Sequence, residues 1–174
     1  MEIKELIKNI EQWGKDRELD KKGTVKGQQV KTCEEISELI IGISKDNIEV
    51  IKDSIGDVIV TLIIGNMLDE QYDFNKLFHE AESDYMRLEK YFINLDKIQM
   101  IESLSSHMLV ITRQKYSHEL HIKNIIYSLM RLSSIYKLEI KDCLIAAYEE
   151  IANRKGQMID GTFVKEEDLQ GVGN

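Results

Sequence analysis

The chain has 174 residues, a formal net charge of -8 and a pI near 5.1. That length suits one ordinary domain with a core of its own. The acidic balance excludes a general binder of nucleic acid or of anionic membranes, which needs a basic stripe. An acidic protein that handles phosphates needs metal ions to bring them in. Cys33 and Cys143 lie inside helical patterns with no secretory segment ahead of them, so they read as reduced core thiols of a cytoplasmic protein. The longest apolar stretch, around Val58 to Ile64, is too short to span a bilayer, which excludes a membrane partner.

Proline is absent and strand-like alternation is almost absent, whereas helical spacing recurs along nearly the whole chain. Ile3, Leu6, Ile7, Ile10 and Trp13 form the first stripe, followed by a break over Leu19 to Lys26. Helices are expected from about Gln28 to Lys45 and from about Asn47 to Leu68. Phe74, Leu77, Phe78, Ala81, Tyr85 and Leu88 define a fourth, and Ile98, Ile101, Leu104, Met108 and Ile111 a fifth. Ile122, Ile125, Ile126, Leu129 and Leu132 give a sixth, and Ile140, Cys143, Leu144, Ala147 and Ile151 a seventh. Breaks fall at Asp46, near Asp69 to Tyr72, near Asn94 to Lys97, at Lys115 to Glu119 and near Lys137. Residues 156–174, with Gly156, Gly161, Gly171 and Gly173, read as an irregular tail. The expected architecture is all-α, a single-domain bundle of about six or seven helices.

A weak internal repeat runs through this pattern. The segment DFNKLFHEAE from Asp73 resembles EIKDCLIAAYEE from Glu139, an offset of 66 residues (139 minus 73). The helices before them, VIVTLIIGNML from Val58 and NIIYSLMRLSS from Asn124, match loosely. At that offset Asp57 corresponds to Lys123, and Glu35 and Glu38 to Ile101 and Leu104. The second half therefore reads either as a degenerate copy or, over about residues 93–137, as an insertion; chance likeness between amphipathic helices is the plainer alternative.

The chemistry rests on carboxylates beside the apolar stripes of the second and third helices. Side chains three or four apart share a helix face, so Glu35 pairs with Glu38 and Asp53 with Asp57. Carboxylates beside packing surface are costly to bury unless something positive pairs with them. A divalent cation suits that role, because Mg²⁺ binds through a few carboxylates, waters and substrate phosphates. Glu35, Glu38 and Asp57, with Asp53 one turn earlier, make a candidate metal site able to polarise a phosphoryl oxygen and activate water. A solvated acidic face is the alternative for the same spacing. His118 and His121 are three apart but lack a nearby third ligand, so a solvated helix start explains them better.

The order of motifs carries a resemblance. ExxE stands as Glu35-Ile-Ser-Glu38, and the next helix carries Ser54-Ile-Gly-Asp57; IEQWGKDREL from Ile10 and YEEIANRKGQMIDGTFVKEED from Tyr148 flank them. In these features the chain resembles the MazG-like, all-α nucleoside triphosphate pyrophosphohydrolases, whose signature is ExxE on one helix and ExxD on the next. The likeness covers roughly residues 3–82 and 120–168. It implies Mg²⁺-dependent cleavage of (deoxy)nucleoside triphosphates to monophosphate and pyrophosphate, with Mn²⁺ as an alternative cation. It assigns the catalytic role and the metal to Glu35, Glu38 and Asp57, with Asp53 as an auxiliary ligand or water-orienting group. Lys15, Arg17, Arg154 and Lys155 resemble positions that face substrate, although cations at helix C-termini serve capping equally well. Trp13 is a candidate to stack on a base, or else belongs to the core or rim, and the segment from Met158 to Phe163 is a candidate lid. Related short chains pair subunits, which implies a homodimer, or a monomer if the second half completes the bundle.

One departure stands out: Ser54 occupies the place of the glutamate of ExxD. Either Asp53 takes over part of that role or the Ser54 hydroxyl holds a metal-bound water. The alternative function is a non-catalytic nucleotide-binding or protein-interaction module built on the same bundle.

Overall fold

The computed structural model describes residues 1–69, 72–89, 95–116, 118–159 and 162–166. Among these the chain forms eight helices and one two-stranded hairpin, an all-α bundle, and none of the helices is long and apolar enough to cross a membrane.

The first helix, α1 (Ile3–Asp16), buries Ile3, Leu6, Ile7 and Ile10 as its stripe dictates. Glu18 then turns in the left-handed region, with φ 58, and launches a single helical turn, α2 (Leu19–Lys22), inside the segment expected to be a break. Thr24 caps α3 (Val25–Lys45), its hydroxyl accepting the Gly27 N–H at 3.0 Å. Asp46 closes α3 with φ 52; its N–H and that of Asn47 return to the carbonyls of Ile43 and Gly42. This tight stop sends α4 (Ile48–Asp69) back along α3. From Ile51 to Asn66 nearly every residue of α4 except Lys52, Asp53 and Asp57 is buried, which makes it the central helix.

Asp73 caps α5 (Phe74–Leu88) through the Lys76 N–H, and Asp96 with Gln99 forms a capping box on α6 (Lys97–Gln114). The last two helices are α7 (Glu119–Ile135) and α8 (Ile140–Ala152). The supposed break at Lys115 hides a core residue. Tyr116 is fully buried, its ring against the bare Cα of Gly65, where an added Cβ would lie 2.3 Å from the ring. Its hydroxyl meets Thr32 Oγ1 at 2.8 Å.

The tail is not irregular throughout. Antiparallel strands β1 (Gly156–Ile159) and β2 (Thr162–Lys165) pair Gly156 with Lys165 and Ile159 with Thr162. The expectations for Asp160, Gly161, Gly171 and Gly173, and for the break at Asn94, lie outside the described residues.

Helix packing crosses between the two halves. α4 lies on α8, while α5 lies on α7. The positions 66 residues beyond the acidic set (139 minus 73) hold no acidic cluster. Leu104 is buried, and Lys123 pairs with Asp84 at 3.0 Å. The α4–α8 approach depends on Gly56, whose added Cβ would stand 2.3 Å from the Cys143 carbonyl oxygen and 2.7 Å from the Ala147 Cβ. Gly56→Ala should therefore push α8 outward. Overpacking costs about 1–3 kcal/mol, and the better helix propensity of alanine returns up to about 1. A net loss of about 1–2 kcal/mol is expected in denaturant unfolding.

Candidate functional site

Because α3 and α4 run antiparallel in contact, their acidic faces meet. Glu35 and Glu38 from α3 and Asp53 and Asp57 from α4 line one cavity of about 250 Å³. Glu150 from α8 and Arg154 just past its end reach the wall, and Trp13 from α1 and Phe163 from β2 close its apolar end with Leu19, Ile64 and Leu68. The polar half thus sits between α3, α4 and α8, and the apolar half between α1, α3, α4 and the hairpin.

The electrostatics follow from this crowding. Asp57 is the most enclosed of the acids that meet here on α4, and burial is the main reason its carboxyl is pushed up to about 7. Glu35, Asp53 and Glu150 push it further, and Arg154 only partly opposes them. Glu35 is 14% exposed, and the Lys31 ammonium lies 3.6 Å from it while also pairing with Glu34. Burial draws the Lys31 pKa down, but Glu34 and Glu35 outweigh it and hold the ammonium above its ordinary value, so it stays charged. Arg154 forms an ion pair with Glu150 one turn earlier.

A divalent cation fits this donor set by charge: hard carboxylate oxygens, too many for the nearby cations to neutralise, suit Mg²⁺ or Mn²⁺. Among the described residues, however, no three acidic, imidazole or thiol groups converge as a ready-made metal-ligating set. The four carboxylates surround a shared space without closing on one point. Glu38 and Asp53 are exposed, which leaves their side chains room to turn inward.

The other expected residues fall into two groups. Trp13 and Arg154 line the cavity. The Trp13 indole N–H donates to the Ile151 carbonyl at 2.7 Å, and its ring stands edge-on to Phe163 at 5.7 Å. Arg17 does not line the cavity. Its guanidinium lies 4.7 Å from the Trp13 ring centroid and donates to the Arg154 carbonyl at 2.7 and 3.2 Å and to the Ala152 carbonyl at 3.4 Å. Of the two roles open to Arg17, it fills that of a cation capping a helix C-terminus, here the end of α8. Lys15 and Lys155 are exposed and also stand outside the lining. Ser54 is buried in the helix packing at 1% exposure and does not line the cavity, so it is not placed to hold a metal-bound water there; Asp53, one residue earlier, does line it. The expected lid includes Asp160 and Gly161, which lie outside the described residues, while its Phe163 is in the cavity wall. His118 is exposed and sits at the N-terminus of α7, in a T-shaped contact with His121. Both cysteines are free thiols, and burial raises them, Cys143 to about 11, which suits inert packing groups.

Lys31, Glu150 and Gln28 were not singled out from sequence, and Phe163 entered only as the end of the candidate lid. Lys31 stands four before Glu35 and Glu150 four before Arg154, a spacing that marks both as ion-pair partners on their helices.

The Arg17 clasp should carry measurable stability. Replacing it with alanine strands the Ala152 carbonyl at the end of α8 and the Arg154 carbonyl just beyond it, a loss of about 2 kcal/mol for hydrogen bonds to a charged group. Lysine should restore only part of this, because an ammonium cannot present the guanidinium fork; denaturant titration of both variants decides it.

No family model matches the sequence, and no solved structure matches it significantly. A stretch of 63 residues, 36% of this chain, is 48% identical to an uncharacterized 18.2 kDa protein from the rep–hol intergenic region of Haemophilus phage HP1 (strain HP1c1). That match spans 39% of the phage protein's length, so the likeness concerns a part of each chain.

Proposed function

We propose that this chain is a divalent-cation-dependent nucleoside triphosphate pyrophosphohydrolase of the MazG-like kind. The observation that carries the proposal is that Glu35, Glu38, Asp53 and Asp57 line one cavity whose wall also holds cations and an aromatic end. On this reading Glu35, Glu38 and Asp57 hold Mg²⁺ or Mn²⁺ with Asp53 auxiliary, and the bound cation supplies charge stabilisation of phosphoryl oxygens and an acidified water. Lys31 and Arg154, both in the cavity lining, screen the remaining phosphate charge. Trp13 and Phe163 bound the apolar end, which accepts the base and excludes water from it. Arg17 acts indirectly, by fixing the backbone from which Arg154 projects. In the overall reaction the water oxygen joins a phosphorus, the bond bridging the α- and β-phosphates breaks, and monophosphate and pyrophosphate leave. The same reading makes the protein cytoplasmic, with a homodimer or a monomer as its assembly and nucleotides rather than nucleic acid as its partners.

A second reading has its own support. Ser54 stands outside the cavity where the signature has glutamate, and no three carboxylates converge among the described residues. Both features suit a nucleotide-binding or protein-interaction module without turnover. Pyrophosphate release from a panel of NTPs and dNTPs, with Mg²⁺ or Mn²⁺ against EDTA, separates the two. Metal-dependent release with monophosphate as co-product is expected; a folded, metal-binding protein that releases none is the module.

A further inference from the structure

Gln28 occupies an unusual place for an amide. It is buried, at 9% exposure, yet it lines the cavity, two turns of α3 away from Glu35. Seven residues of helix separate the two, about 10 Å along the axis. That displacement places Gln28 beside the apolar end when a phosphate lies among the carboxylates, a separation comparable to that between phosphate and base within one nucleotide. The amide orientation is fixed. Gln28 Nε2 donates to the Thr61 carbonyl at 3.0 Å, and a carbonyl can only accept, so the nitrogen faces α4 and Oε1 faces the other way. Among the described residues no N–H or O–H donates to Oε1, the atom is not fully enclosed, and the side chain that carries it belongs to a residue lining the cavity. The neighbouring Thr61 hydroxyl, also in the cavity wall, spends its hydrogen on the Val58 carbonyl at 2.8 Å and keeps only acceptor capacity. This wall thus offers two acceptor oxygens against the one remaining Nε2 hydrogen.

We propose that Gln28 reads the nucleobase: its Oε1, with Thr61 Oγ1, accepts hydrogen bonds from the exocyclic amino group of a cytosine or adenine base. The inference rests on the pyrophosphohydrolase reading only for where the nucleotide lies. An amino group brings two hydrogens to two acceptors. The keto oxygen of uracil or hypoxanthine brings lone pairs to lone pairs and leaves buried acceptors unmatched, which is the arrangement that discriminates strongly. The cavity therefore prefers CTP over UTP and ATP over ITP, pairs that differ at the amino or keto position and its ring neighbour.

The test is equilibrium binding of CMP against UMP and AMP against IMP by calorimetry, alongside pyrophosphate release from the corresponding triphosphates. In the wild-type protein the amino member of each pair should lead by about tenfold or more. In Gln28→Met, which keeps the volume and loses the acceptor, both ratios should fall to within about twofold. A residue that only ties α3 to α4 would weaken all four nucleotides together and leave the ratios in place. Equal binding of CMP and UMP by the wild-type protein overturns the proposal with no variant needed, as does a ratio that survives Gln28→Met. Cleavage without discrimination sinks the base-reading role alone. Neither binding nor cleavage of any nucleotide sinks the pyrophosphohydrolase reading with it.

Discussion

At about pH 8 in EDTA, Asp57→Asn is expected to be more stable than the wild-type protein, by up to about 4 kcal/mol. The figure is the free-energy equivalent of the gap between the carboxyl's ordinary value of 3.8 and its value of about 7 in the folded chain. Burial is the main cause, and the Glu35, Asp53 and Glu150 charges add to it. The sign follows from proton counting. Between those two values the folded state holds the Asp57 proton and the unfolded state does not, so folding stability falls as pH rises. The cost is absent below about 3.8, grows across the window and is complete above about 7. Asparagine has no proton to lose and keeps its shape. The two proteins should match at about pH 4 and diverge steadily toward about pH 8 in parallel denaturant titrations. Mg²⁺ at millimolar concentration should close the gap from the wild-type side, because a ligand that binds only the folded state stabilises it. Parallel curves at every pH would mean that Asp57 is not held under this strain of charge.

The same residue explains why the meeting of the acidic faces of α3 and α4 was legible from sequence. Carboxylates at helical spacing within apolar stripes can only lie at the edge of a packing face, and two such helices in succession bring those edges together. The seven long helices were readable for the same reason: each carries a stripe long enough to show its period. What escaped detection was either short or tertiary. A single turn such as Leu19–Lys22 has no period to display, and strands of four residues cannot establish alternation. Tyr116 sits in a polar stretch that reads as a loop, and its burial is set by Gly65 on a helix far away in sequence. Sequence left both roles of Arg17 open, because its charge is visible there while the Ala152 and Arg154 carbonyls that take its hydrogen bonds are not. Ser54 and Asp53 show the limit of a motif. A register shift of one residue decides which of them faces the cavity, and the packing of α4 turns Asp53 toward it.

Glu38→Gln is expected to reduce metal-dependent pyrophosphate release by at least about 100-fold, because even residues that only support a metal ligand cost about 10–100-fold when removed. Glu38 is exposed and lines the cavity, so its carboxylate can turn toward a cation while its loss costs the fold little. Glutamine keeps the length and nearly the same helix propensity, so the helical signal and melting temperature in EDTA should stay where they were. The informative comparison is the stabilisation by Mg²⁺. On the proposed reading a cation should relieve repulsion among four carboxylates in the wild-type protein; in Glu38→Gln it would meet one ligand fewer and should raise the melting temperature less. Glu49→Gln, which removes an exposed carboxylate from the first turn of α4 outside the cavity, controls for the change in net charge. Turnover that survives Glu38→Gln, with Mg²⁺ stabilisation unchanged, would remove Glu38 from the metal set. The chemistry would then rest on Glu35, Asp53 and Asp57, where burial first and the charges of Glu35 and Asp53 second push the Asp57 carboxyl up to about 7.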